Sequence, residues 1–140
     1  MSRLVKILVV EDDFVACRLL TEILEQSNYD VETANDGQRA LQKLSEGSYD
    51  IVVTDLKMPK MNGLELLGEI KRTSRHTEVI LISAFGDETV WIESLGLGAY
   101  DFIPKPFKKG EIVAVVGEAL RHRDKRLTSG GAPTEGESGP

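Results

Sequence analysis

Three consecutive acids, Glu11, Asp12 and Asp13, directly follow the apolar run Lys6-Ile7-Leu8-Val9-Val10, and a fourth, Asp55, follows Asp50-Ile51-Val52-Val53-Thr54. Carboxylates brought together either raise their own pKa values or recruit a cation, because two like charges ~4 Å apart repel by about 4 kcal/mol at an effective dielectric near 20. Hard oxygen donors with no His or Cys close in sequence suit Mg²⁺, which takes one or two carboxylates and keeps several waters. Ser83 follows a third apolar run, Glu78-Val79-Ile80-Leu81-Ile82, and Lys105 follows a weaker one, Tyr100-Asp101-Phe102-Ile103. A hydroxyl and an ammonium beside a carboxylate-bound metal are what the oxygens of a phosphoryl group require. Taken singly, each feature has a plainer use. Asp12 and Asp13 suit a helix N-terminus, Asp55 suits a turn, and Lys105-Pro106 suits an extended surface turn.

The elements that must position these groups alternate. The three strong runs are continuously apolar, as parallel strands buried on both faces are. Tyr29–Ala34 and Tyr100–Ile103 are weaker strand candidates. Val15, Leu19, Leu20, Ile23 and Leu24 make one apolar stripe on a helix between Phe14 and Gln26. Asp36-Gly37 opens a second helix, which carries Ala40, Leu41 and Leu44 and is closed by Gly47. Leu64, Leu67 and Ile70 mark a third helix. Val90, Trp91, Ile92 and Leu95 mark a fourth, from near Asp87 to Gly96 and Gly98. Ile112, Val113, Val115, Val116, Ala119 and Leu120 mark a fifth, running into Arg121. The order βαβαβαβαβα predicts an α/β fold: a flavodoxin-like, doubly wound, five-stranded parallel sheet of strand order 2-1-3-4-5 with five helices. The ligand crevice of such a sheet lies at the carboxyl ends of strands 1 and 3, where Glu11, Asp12 and Asp55 would converge. A closed eight-unit barrel would need roughly 200 residues or more.

Composition narrows the classes. The 140 residues are 41% hydrophobic and 29% charged, and a chain of this length buries roughly 68–70% of its unfolded surface. No apolar run approaches the ~18–20 residues that cross a bilayer, and Met1–Val10 lacks the pattern of a secretory signal. The single cysteine, Cys17, excludes an internal disulfide and fits a reducing cytoplasm. A net charge of −6 argues against a nucleic-acid-binding surface. Arg121-His122-Arg123-Asp124-Lys125-Arg126 reads as a basic helix end that favours the helix dipole. The composition beyond it, Gly, Ser, Pro, Thr and Glu, reads as a disordered tail or linker, so the expected division is a domain over residues 1–126 and a tail over 127–140. Cys17 reads as a helix residue, and His76 and His122 as solvated surface. Trp91 reads either as core or, with Leu95, Lys108 and Lys109, as a partner surface between helices four and five.

In order, and at four predicted strand ends, these residues resemble the receiver domain of bacterial two-component response regulators, from about Arg3 to Arg126. The matching stretches are Leu8-Val9-Val10-Glu11-Asp12-Asp13, Asp55-Leu56-Lys57-Met58-Pro59-Lys60-Met61-Asn62-Gly63, Ser83-Ala84, and Phe102-Ile103-Pro104-Lys105-Pro106-Phe107. The resemblance implies that Asp55 is the phosphoacceptor. It implies that Mg²⁺ is held by Asp12 directly, Glu11 through water, Asp55 and the Lys57 carbonyl, with Asp13 as the helix cap. Ser83 would move to a phosphoryl oxygen, Lys105 would be its ion-pair partner, and Lys105-Pro106 would be a cis peptide.

The implied activity is that of a switch rather than an enzyme. A sensor histidine kinase or phosphotransfer protein would pass a phosphoryl group from phosphohistidine to Asp55. The surface of helix 4, strand 5 and helix 5 would then change, altering how a downstream effector or a second copy binds there. Ser83 and Phe102 would be the switching residues, and Trp91, Leu95, Phe102, Lys108 and Lys109 the partner surface. Phe102 departs from the Tyr frequent at its position in the family and has no hydroxyl to contribute. Lys57 and Phe85 resemble positions that tune dephosphorylation. Leu97-Gly98-Ala99-Tyr100-Asp101-Phe102 is similar to receivers of enhancer-binding, nitrogen-regulator-like activators, which would make this chain the regulatory part of a longer protein, with a standalone receiver as the alternative. Three rivals fit less well, one of them a non-phosphorylated pseudo-receiver, against which the intact set Asp12, Asp55, Ser83 and Lys105 counts. A haloacid-dehalogenase-type phosphohydrolase needs an acid two residues after its nucleophile, where this chain has Lys57. A flavodoxin-like cofactor binder needs a hydroxyl- and glycine-rich loop after strand 1, where three acids would repel a phosphate.

Overall fold

Side chains that alternate along a buried strand reach both faces of a sheet, and here both faces are apolar. The computed structural model describes residues 4–74, 76–84 and 88–129. Strands β1 (Lys6–Val10), β2 (Asp30–Ala34), β3 (Ile51–Asp55), β4 (Glu78–Ser83) and β5 (Asp101–Pro104) alternate with helices α1 (Phe14–Glu25), α2 (Gly37–Glu46), α3 (Gly63–Thr73), α4 (Glu88–Gly96) and α5 (Lys109–Ser129). All pairings are parallel and the sheet order is β2-β1-β3-β4-β5, as the alternation of elements predicts. On one face Leu8, Val10, Val52, Val79, Leu81 and Phe102 pack with Leu66, Leu67 and Ile70 of α3. On the other, Ile7, Val9, Ile51, Val53, Ile80 and Ile82 pack with Leu20, Ile23 and Leu24 of α1 and Ile112 and Val116 of α5. The register sets Val10 opposite Thr54 and Asp55 opposite Ile82, so the ends of β1, β3 and β4 form one rim.

Helix boundaries follow from side chains that satisfy free backbone N–H groups. Asp13 accepts from the Ala16 N–H at 2.9 Å and Asp36 from the Arg39 N–H at 2.8 Å. Asn62 and Glu65 exchange bonds with each other's backbone at 2.9 and 3.0 Å, a capping box that opens α3.

The structure corrects several expectations. The stripe predicted on α1 is only partly buried: Leu20, Ile23 and Leu24 are inside, whereas Val15 and Leu19 face solvent. Helix α4 carries apolar residues around its circumference, so one helix face cannot bury them all. Trp91 is 45% exposed, Ile92 and Leu95 are exposed too, and the core reading of Trp91 fails. On α3, Leu66 is buried with Leu67 and Ile70, while Leu64 is only partly covered. Helix α5 continues through Ser129, past the expected boundary at residue 126. His122 is not simply solvated: its Nδ1 lies 2.8 Å from the buried Glu78 carboxylate, and its ring rests against Tyr100. Asp87, the expected start of helix four, and residues 130–140 of the expected tail lie outside the described residues. No helix among the described residues is long and apolar enough to cross a membrane.

Candidate functional site

The rim gathers the acids that sequence spacing singled out. Carboxylate oxygens of Glu11, Asp12 and Asp55 all lie within 4.8 Å of one another. Glu11 is 2% exposed and Asp55 is buried, whereas Asp12 is exposed, so the cluster opens to solvent at Asp12. Glu11 is fixed by two bonds: Oε2 accepts the Asp13 N–H at 3.0 Å, and Oε1 accepts from Lys105 Nζ at 2.8 Å. Asp55 Oδ1 accepts the Leu56 N–H at 2.8 Å, which orients the carboxylate, and its Oδ2 lies 3.4 Å from Lys105 Nζ. Lys105 therefore bridges the two buried acids. Asp13, in contrast, turns to the helix as its cap.

Charge and burial act in opposite directions here. Burial pushes the Glu11 carboxyl above its ordinary pKa; the Lys105 bond and the Asp13 N–H oppose this, and the Asp55 charge adds to it. For Lys105, burial is the largest single influence and lowers the pKa. The bond from Glu11 and the charges of Asp55 and Glu11 outweigh it together, and the net direction is up. The lysine is thus held firmly as a cation among acids that are costly to ionise together.

Three converging carboxylates, two of them anchored, are hard donors suited to Mg²⁺. The β3–α3 loop that follows Asp55 is seated tightly below them. Gly63 N–H donates to the Leu56 carbonyl at 2.8 Å, and a Cβ on Gly63 would stand 2.5 Å from the Asp55 carbonyl oxygen. Only glycine lets α3 begin this close to the Asp55 backbone.

The remaining predicted residues divide. Ser83 is buried at the end of β4, opposite Pro104, and its carbonyl accepts the Lys105 N–H at 2.9 Å. The Lys105–Pro106 peptide is cis. Lys57 is exposed on the loop after Asp55. Of the expected partner surface, Trp91, Leu95, Lys108 and Lys109 are exposed, but Phe102 packs in the core with Leu81 and is not presented. Phe85 lies outside the described residues.

Sequence reasoning missed the apolar flank of the rim. Phe14 is 75% exposed, and Val15 and Leu19 line a groove with Ala84, Pro106 and Phe107 beside Lys105. Large apolar residues so close to the acidic triplet were its only signal. Periodicity alone cannot tell a face that meets the core from one left uncovered.

Comparison with known proteins agrees with this geometry. Residues 7–117 match the response regulator receiver domain family. The transcriptional regulatory protein CpxR homolog of Haemophilus influenzae is 45% identical over 116 residues, which cover 83% of this chain and 50% of that protein. This chain therefore spans about half that relative's length. A response regulator receiver domain protein from Clostridium thermocellum superposes with a TM-score of 0.82 at 32% identity, covering 89% of this chain and 99% of that one. NtrX from Brucella abortus gives a TM-score of 0.85 at 32% identity, covering 93% of this chain but 30% of that one. With the five-stranded topology and an acidic rim in place, the chain belongs to the response regulator receiver family of two-component signal transduction.

Proposed function

We propose that this domain is a phosphoacceptor switch in which Asp55 takes a phosphoryl group from the phosphohistidine of a sensor kinase or phosphotransfer protein. The observation that supports this most strongly is the convergence of the Glu11, Asp12 and Asp55 carboxylates within 4.8 Å, with Lys105 bridging Glu11 and Asp55. Glu11, Asp12, Asp55 and the Lys57 carbonyl would hold Mg²⁺. Bound there, the ion offsets repulsion between the anionic nucleophile and the anionic phosphoryl group.

This chain's own residues do the rest. The Leu56 N–H orients Asp55, whose carboxylate oxygen bonds to phosphorus as the bond to the donor's imidazole nitrogen breaks. Lys105 binds an oxygen of the transferred group, and Ser83 donates to another. The donor must bring its phosphorus to the rim, and the exposed Phe14, Val15 and Leu19 give it an apolar surface to cover. Drawing Ser83 toward the acyl phosphate biases the start of α4, and the exposed Trp91 and Leu95, with Lys108 and Lys109, form the surface that a downstream effector or a second copy reads. Phe102 joins that surface only if it leaves its core position.

Intact-protein mass spectrometry after incubation with Mg²⁺ and a small phosphodonor tests the assignment. The wild-type chain is expected to gain one phosphoryl group and Asp55→Asn none. Equal labelling of both would remove Asp55 from the role.

A further inference from the structure

The β3–α3 loop contains a backbone conformation that its own sequence does not favour. Lys60 has φ +72°, a left-handed value that among the described non-glycine residues it shares only with Asn28. Across it the Met61 N–H donates to the Pro59 carbonyl at 2.8 Å, forming a three-residue turn of the rare and strained kind. Such a turn persists only where its surroundings over-determine it. On one side it is held by Asn62, Gly63 and the capping box of α3. On the other side stands the start of α2. A Cβ on Gly37 would lie 2.8 Å from Met61 Cβ and 2.9 Å from the Met61 carbonyl oxygen. Beside it, Asp36 pairs with Lys60 Nζ at 3.6 Å while its other oxygen caps α2.

We infer that Gly37 is a positioning residue for the cation site: the first turn of α2 is a strut that holds the strained turn at Lys60, and through it the Lys57 carbonyl and the backbone after Asp55. This rests on the reading that Glu11, Asp12, Asp55 and Lys57 hold Mg²⁺. The conformation of Gly37 is not left-handed, so alanine is admissible there, and alanine is the better helix former. An added methyl group would therefore act through the contact between the first turn of α2 and the Met61 backbone. A backbone carbonyl cannot swing aside as the end of a flexible side chain can. The Asp36–Lys60 pair is largely solvated on the lysine side and contributes less than the Gly37 contact.

The test is calorimetric titration of Mg²⁺ into the whole chain, with urea unfolding of the metal-free protein in parallel. Gly37→Ala is expected to weaken Mg²⁺ binding about tenfold, the scale seen when groups that support metal ligands are disturbed, and also to lower metal-free stability, because a methyl group 2.8–2.9 Å from Met61 forces a shift whether or not the ion is bound. Gly68→Ala makes the same change on α3, where a Cβ meets nothing within 4 Å, and is expected to leave Mg²⁺ affinity unchanged. Met61→Gly removes the Cβ that would stand 2.8 Å from a methyl group on Gly37 and is expected to weaken binding about threefold. Because the 2.8 Å contact with Met61 Cβ and the 3.1 Å contact with Met61 Cγ are then gone, the double variant should lose less than the product of the two single losses. Mg²⁺ binding within twofold of wild type in both single variants would overturn the inference. So would an equal loss of Mg²⁺ affinity in Gly68→Ala. A wild-type chain that binds no Mg²⁺ would instead overturn the reading on which the inference rests.

Discussion

Buried acids stand at both edges of this sheet, and the two edges treat them differently. At the amino edge, Asp50 and Glu78 are 3% and 2% exposed. Asp50 accepts from the Lys6 N–H at 2.9 Å and pairs with Arg123 at 3.0 Å. Glu78 meets His122 at 2.8 Å and Lys71 at 3.7 Å. At the carboxyl edge, Glu11, Asp12 and Asp55 converge instead on one another, and the Lys105 ammonium bridges Glu11 and Asp55. The first arrangement neutralises each acid within the fold. The second gathers three acids around one lysine, an excess of negative charge that on the proposed function serves a cation and a phosphoryl group. On that reading, the same residue types serve stability at one end and chemistry at the other.

Breaking the amino-edge arrangement should have the largest effect. Arg123→Ala leaves Asp50 buried without its counter-charge and is expected to cost about 3–5 kcal/mol in urea unfolding, with phosphoryl uptake by the folded fraction unchanged. A stability loss below ~1 kcal/mol would mean that Arg123 is a surface charge, and the contrast between the edges would dissolve. The carboxyl edge should respond in rate. Lys105→Met is expected to slow phosphoryl uptake about a hundredfold, the scale of losing one charged donor to a developing oxyanion, read from initial labelling rates in saturating Mg²⁺. An unchanged rate would leave the bridging lysine without a part in the chemistry.

How much of this was legible in the sequence differs between the edges. The carboxyl edge was readable because each of its residues ends an apolar run, and the alternation of elements dictates which runs become neighbours. Glu11, Asp12, Asp55, Ser83 and Lys105 fall at strand ends for that reason. Continuous burial also made β1, β3 and β4 plain, since Ile7–Val10 and Val79–Ile82 have no polar residue to mark an outer face. The amino edge left no such trace. Arg123 and His122 looked like ordinary basic residues at a helix end, because a partner 73 or 44 residues away has no periodic signature. The seat of Gly37 against Met61 was hidden for the same reason. Val15 and Leu19 went wrong in the opposite way: an apolar residue at helical spacing predicts a buried face, and only the completed packing shows which faces the sheet has room to cover.

The two edges can be compared with one substitution made twice. In urea unfolding with a chelator present, Asp55→Asn removes a charge from a repelling cluster while keeping an acceptor for the Leu56 N–H, and should raise stability by about 1 kcal/mol. Asp50→Asn removes a charge that is paired and should lower stability by about 3 kcal/mol. A drop in both variants would contradict the account, because the carboxyl-edge acids would then be structural like those at the other end.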